Sequence, residues 1–243
     1  MKLLVVARTA VSLLLLVLLI GISIVPLGIL LLLPRSWLLA SKLFFLVEYL
    51  FCRALIAITF VPFRFRGLEH LPTEPSIIVA NHQSALDIPV IAATLQRYPH
   101  VWLAVATLMD SPVLRFILPR VAVLVDMTTP MTGMRTLLEA IKLVNGKRCH
   151  IVIFPEGGRY IDGEIHDFFG GFVILAKKMG RPVTPILIHG LNKVFPPGSW
   201  LVYRHTVTVI VGEPFIIQEH ESDELFVARV QRWFIDQVEQ QGM

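Results

Sequence analysis

The sequence predicts an α/β domain, with a largely parallel central sheet flanked by helices, preceded by an N-terminal hydrophobic helical hairpin. Three observations predict it. Met1 to Pro34 is almost wholly apolar, and a second apolar stretch follows from Trp37 to Phe60. Short apolar runs then alternate with helical patterns down to the end of the chain. Two polar clusters, around His82 and Glu156, each follow one of those runs, where loops of a parallel sheet gather ligands.

Composition sets the frame. Of 243 residues, 55% are apolar and 16% charged, against roughly 25% charged in soluble domains. The mean hydropathy of +0.69 marks a membrane-associated protein. A net charge of +4 suits an anionic lipid surface. No aromatic-interleaved basic stripe is present, so nucleic acid is not an expected partner. The 2 cysteines, Cys52 and Cys149, lack metal-ligand spacing and favour a reducing, cytoplasmic face. Cys52 lies in an apolar segment and is placed in lipid.

Thr9 to Leu33 carries no charge and is long enough to cross a hydrocarbon core of about 30 Å as a helix. Gly21, Pro26 and Gly28 allow a kinked, re-entrant shape instead of a span. Pro34-Arg35-Ser36 breaks the pattern. Trp37 to Phe60 is a second apolar stretch, interrupted by Lys42, Glu48 and Arg53 and rich in interfacial aromatics. Residues 1–62 therefore read as membrane helices that either span twice or lie in one leaflet, and residues 63–243 as the globular domain. The segment from Pro62 to Pro75 is read as a connection.

Strands are predicted at Ile77–Ala80, Val101–Val105, Val121–Val125, Ile151–Phe154, Val183–Ile188 and Thr206–Val211. Helices are predicted at Asp87–Arg97, Ser111–Leu118, Met131–Leu143, Phe168–Met179 and Asp223–Gln240. Phe172 to Leu175 reads as helix core. Val227, Val230, Phe234 and Val238 recur at helical spacing and form the buried stripe of a closing helix.

The first polar cluster is Asn81-His82-Gln83-Ser84-Ala85-Leu86-Asp87. Residues five apart on one helix lie about 140° apart and cannot meet. His82 reaches Asp87 only from a loop folded back over the first helical turn, with Ser84 as the helix cap. Asp87 would then accept a hydrogen bond from one imidazole nitrogen, leaving the other to take a proton from a hydroxyl. A capped helix beside a surface histidine is the bland alternative.

The second cluster is Phe154-Pro155-Glu156-Gly157-Gly158-Arg159. Its glycines let backbone N–H groups approach a ligand. Arg159 offers a planar fork suited to phosphate. Glu156 has two readings, a bond to a substrate hydroxyl or support for Arg159. Taken alone, the cluster also fits a glycine-rich turn with a surface ion pair. His189, ending a strand, is a candidate for lining the same site.

Together these blocks resemble the first and third sequence blocks of the glycerophospholipid acyltransferases, nearest the 1-acyl-sn-glycerol-3-phosphate (lysophosphatidic acid) acyltransferases. Val183-Thr184-Pro185-Ile186 resembles the fourth block, and Val209 to Pro214 the late strand and turn. The resemblance implies a membrane-bound O-acyltransferase with His82 and Asp87 as the catalytic pair. Asn81, Glu156, Gly157, Gly158 and Arg159 would bind substrate. The acceptor would be a lysophospholipid, and the donor acyl-CoA or acyl-carrier protein. Transfer would be direct, with no metal and no redox cofactor, and membrane lipids would be the other partners. In a bacterium the enzyme would sit on the cytoplasmic face of the inner membrane.

The chain departs from that pattern at three places. The second block lacks its lysine, and Met127 stands where its arginine is expected. Phe168-Phe169-Gly170-Gly171 replaces a lysine-bearing segment, and Gly158 replaces a threonine. A charge-assisted phosphate bond contributes about 1.5–3 kcal/mol. Either the acceptor lacks a phosphate monoester, or Arg115, Arg120, Arg135 or Lys177 substitutes. A catalytically silent lipid-binding protein of the same fold is the third alternative.

Overall fold

The computed structural model describes residues 2–125, 129–160, 162–196 and 198–242. The chain opens with α1 (Lys2–Leu31), α2 (Arg35–Leu38) and α3 (Lys42–Ala57). Then come β1 (Phe63–Arg66), β2 (Ile77–Ala80), α4 (Asp87–Thr94) and β3 (His100–Val105). These are followed by α5 (Pro112–Val121), β4 (Ala122–Val125), α6 (Pro130–Val144) and β5 (His150–Ile153). The last elements are α7 (Gly171–Met179), β6 (Val183–His189), β7 (Val207–Val211) and α8 (Asp223–Gly242).

Seven strands form one sheet in the order β1-β7-β6-β2-β5-β3-β4. Strands β2 to β6 are mutually parallel, and only β7 runs antiparallel to its neighbour β6. Strand side chains alternate between faces. Ile77, Val79, Val101 and Ile151 enter one core, with Phe172, Leu175, Val230 and Phe234 from α7 and α8. Ile78, Ala80, Trp102 and Val152 enter the other, with Val90 and Ile91 from α4 and Cys52 and Ile56 from α3. Both faces are covered, which is why the central strands read as continuous apolar runs.

The sequence reading missed β1. Phe63-Arg64-Phe65-Arg66 alternates half-buried and exposed positions and pairs only with β7. An edge strand with one wet face can carry arginines, so it resembles a linker. The helix predicted over Asp87–Arg97 stops at Thr94 because Gln96 turns left-handed, φ 59°.

The N-terminal hairpin is attached to the domain along its length. Helix α1 exposes Leu3, Leu4, Val17, Ile22 and Ile29. It is long and apolar enough to cross a membrane, with a mean hydropathy of 3.0 in its most apolar window. Yet Arg8 donates to the Val202 carbonyl at 3.0 Å, and Thr9 Oγ1 accepts the Val202 N–H at 3.0 Å. Ser12 donates to the Ile58 carbonyl. At the far end Arg120 donates to the carbonyls of Leu31 and Leu33. Helix α3 has 16 residues, about 24 Å, short of a hydrocarbon core of about 30 Å. Cys52, expected in lipid, instead packs against the domain beside Ile56, because it shares the inward stripe of α3 with Phe45.

Candidate active site

Strand β2 delivers the first cluster to the carboxyl edge of the sheet. Asn81 is buried and continues the β2–β6 pairing with its side chain. Its Nδ2 donates to the Ile188 carbonyl at 2.9 Å, and its Oδ1 accepts the Ile188 N–H at 2.8 Å. Both ends of the amide are therefore spent on backbone.

His82 then leaves the sheet and folds back. Its Nδ1 lies 2.7 Å from Asp87 Oδ2. The same oxygen accepts the backbone N–H groups of Gln83 at 2.6 Å and Ser84 at 2.7 Å. An oxygen that gathers three donors is an acceptor towards the ring, so the imidazole proton sits on Nδ1. Ser84 does not cap the helix as expected. Its hydroxyl accepts the Leu86 N–H, and the Asp87 side chain satisfies the loop amides instead. The His82 ring stacks on Phe154 at 4.2 Å, which stacks on Trp102. Nε2 has no partner among the described residues.

The loop after β5 clamps the backbone of His82. Glu156 Oε1 accepts the His82 N–H at 2.9 Å, and the Tyr160 N–H donates to the His82 carbonyl at 3.0 Å. Glu156 Oε2 accepts the His166 N–H at 3.3 Å. The sequence offers Glu156 a substrate hydroxyl or Arg159 as partner. Here both oxygens engage loop amides instead. Burial raises its carboxyl to about 7, against the opposing pull of those amides.

Gly157 has φ +67° and donates its N–H to Phe154 at 3.2 Å, so that group is not presented outward. A Cβ there would meet the Phe169 ring at 2.8 Å. Gly158 has room for a Cβ beside Tyr160. Arg159 is exposed and joins no ion pair among the described residues. It lies one residue from the Tyr160 amide bonded to His82, so its backbone is on the rim that holds the imidazole. His189 ends β6, and its Nδ1 is buried without a partner.

Three of the candidate substitute cations are engaged elsewhere. Arg120 anchors α1, Arg135 pairs with Glu139, and Lys177 pairs with Asp223. Arg115 donates to the Met109 carbonyl. Met127 lies outside the described residues. Sequence reasoning missed a second histidine–carboxylate pair beside the rim. His166 Nε2 is 2.7 Å from Asp162, and Tyr160 stacks on its ring at 3.6 Å. Its i, i+4 spacing was the only signal available.

A sheet-edge imidazole oriented by a buried carboxylate, with its second nitrogen open, defines a site able to take a proton from a hydroxyl. Comparisons with known proteins show the family of the chain. The acyltransferase family model, described as Acyltransferase, matches residues 62–189. The chain belongs to this family. It is 33% identical over 153 residues to a chloroplastic 1-acyl-sn-glycerol-3-phosphate acyltransferase from Brassica napus, covering 61% of this chain and 44% of the relative. It is 28% identical over 187 residues to the Pseudomonas aeruginosa 1-acyl-sn-glycerol-3-phosphate acyltransferase, covering 73% and 72%. The chain thus spans less than half of the plant relative. The crystal structure of PlsC, the 1-acyl-sn-glycerophosphate acyltransferase of Thermotoga maritima, superposes with a TM-score of 0.76 at 26% identity. That match covers 97% of this chain and 98% of PlsC.

Proposed function

We propose that the protein transfers a fatty acyl group from acyl-CoA or acyl-carrier protein to the free hydroxyl of 1-acylglycerol 3-phosphate, giving phosphatidic acid. The observation that carries the reading is the 2.7 Å contact between His82 Nδ1 and Asp87 with Nε2 left open. Nε2 removes the hydroxyl proton as the oxygen attacks the thioester carbonyl. The tetrahedral intermediate collapses, the C–S bond breaks, and the departing thiolate takes the proton from the imidazolium. Asp87 holds the ring and stabilises its charged form. No covalent acyl-enzyme is needed. Burial pushes the Cys149 thiol up to about 12, which suits a core residue better than a nucleophile.

Arg159 is the residue assigned to the acceptor phosphate. The hairpin supports membrane association, with α1 lying along the domain and its apolar side chains turned into one leaflet. Acyl donors of this kind place the site on the cytoplasmic face. One observation favours a second reading. Arg120 and Lys177, two of the cations that would replace the family's missing ones, bond to other partners, which leaves a phosphate monoester fewer cations from that set. A lysolipid without that monoester is then the acceptor.

The test is an acceptor panel with acyl-CoA, products read by mass spectrometry, with His82→Ala as the blank. Phosphatidic acid formed best from lysophosphatidic acid supports the first reading. Preference for a diester lysolipid selects the second. Acylation undiminished in the blank would overturn both.

A further inference from the structure

At the opposite end of the sheet from His82, the N-terminal ends of β3 and β5 and the start of α3 enclose a cavity of about 480 Å³. Its lining combines three cations, Lys42, Arg97 and Arg148, with the apolar Leu43 and Leu46. Lys42 and Arg97 are exposed and join no ion pair among the described residues. Arg148 is shared with Glu74, at 2.7 Å, so the rim keeps a net positive charge.

His150 adds an N–H donor to the same lining. The residue is 3% exposed and lines the cavity. Its Nδ1 accepts the Ser76 N–H at 3.0 Å, which leaves the ring proton on Nε2. Burial lowers its basicity to a value of about 4, so this donor stays neutral. Nε2 has no partner among the described residues and is not sealed in the core. A lining that combines a buried N–H donor with three cations fits an anionic oxygen.

The apolar side of the cavity selects the source of that anion. Leu43 and Leu46 lie on the outer stripe of α3, which continues through Leu50. A phosphate seated at Lys42 would leave attached acyl chains beside this stripe. We propose that the cavity is a binding site for the phosphate headgroup of a membrane phospholipid, separate from the His82 site. It would fix the domain's orientation on an anionic leaflet. The inference does not depend on which acyl acceptor the enzyme uses.

The experiment is flotation of the full chain with phosphatidylcholine vesicles, with and without phosphatidylglycerol. The wild type should prefer the anionic vesicles. Lys42→Ala with Arg97→Ala should weaken that binding about 30-fold, at about 1 kcal/mol per cation. Lys142→Ala with Lys178→Ala removes the same charge from α6 and α7, on the other sheet face, and should change little. Equal losses in both pairs, or no loss in the first, would overturn the site. So would a wild type without anionic preference. Unchanged melting temperatures establish that the variants fold. A thermal stabilisation by inorganic phosphate that the first pair abolishes, with vesicle binding unchanged by that pair, would identify a soluble anion and overturn the lipid assignment.

Discussion

One carboxylate oxygen of Glu156 accepts the backbone N–H of His82 at 2.9 Å, tying the loops after β5 and β2 together. The link connects a buried acid to the residue that carries the proposed chemistry. Because burial raises the Glu156 carboxyl from 4.5 to about 7, the folded protein holds a proton that the unfolded chain has released. Below about pH 4.5 both states are protonated and the group has no effect. As pH rises towards 7, stability falls, by at most about 3 kcal/mol. Glu156→Gln should remove this dependence. The melting temperature of the wild type, taken relative to Glu156→Gln, should therefore drop across that window. A pH-independent difference between the two proteins would contradict the assignment.

Asp87 gathers the His82 ring and two loop amides on a single oxygen. Asp87→Asn should keep a loop acceptor but lose the tautomer that leaves Nε2 free. Turnover should fall about 10³–10⁴-fold, as when the orienting acid of a catalytic histidine is neutralised. His82→Ala should fall by about 10²–10⁴-fold. Steady-state rates are the measure, with circular dichroism to show that each variant folds. Near-normal turnover in either would remove the proposed base.

What the sequence revealed follows from range. His82 and Asp87 are five residues apart, so a loop folding back over one helical turn could be argued from spacing alone. The helix core of Phe172 and Leu175 and the closing stripe of Val230 and Phe234 were legible from periodicity. Contacts set by strand order were not. Glu156 meets His82 only because β5 lies beside β2, and no local pattern states that adjacency. Only the family resemblance assigned Asn81 to substrate, and nothing local in the sequence told of its backbone partner. Its partner, Ile188, is 107 positions away.

Gly157 combines a left-handed backbone with close approach of Phe169. Gly157→Ala should destabilise the protein by about 1–2 kcal/mol, the cost of a side chain at positive φ plus displacement of the ring. Phe169 is 57% exposed, so the ring can swing aside. Adding Phe169→Ala should recover only the contact part, with a coupling of about 0.5–1 kcal/mol in a double-mutant cycle. Chemical denaturation measures all four proteins. Full recovery would mean that the backbone conformation costs nothing.

Gln96 presents the opposite case, a side chain where glycine is favoured. It follows the last turn of α4 with φ 59° and is exposed, so its side chain contributes little packing. A left-handed L-residue costs roughly 1–2 kcal/mol, and the added freedom of glycine in the unfolded chain returns about 0.4–1 kcal/mol of that. Gln96→Gly should therefore stabilise the fold by about 0.5–1 kcal/mol. The shift should appear as a higher denaturation midpoint with an unchanged slope, because no buried surface is altered. Destabilisation instead would show that the Gln96 side chain holds the turn leading into Arg97 and Tyr98.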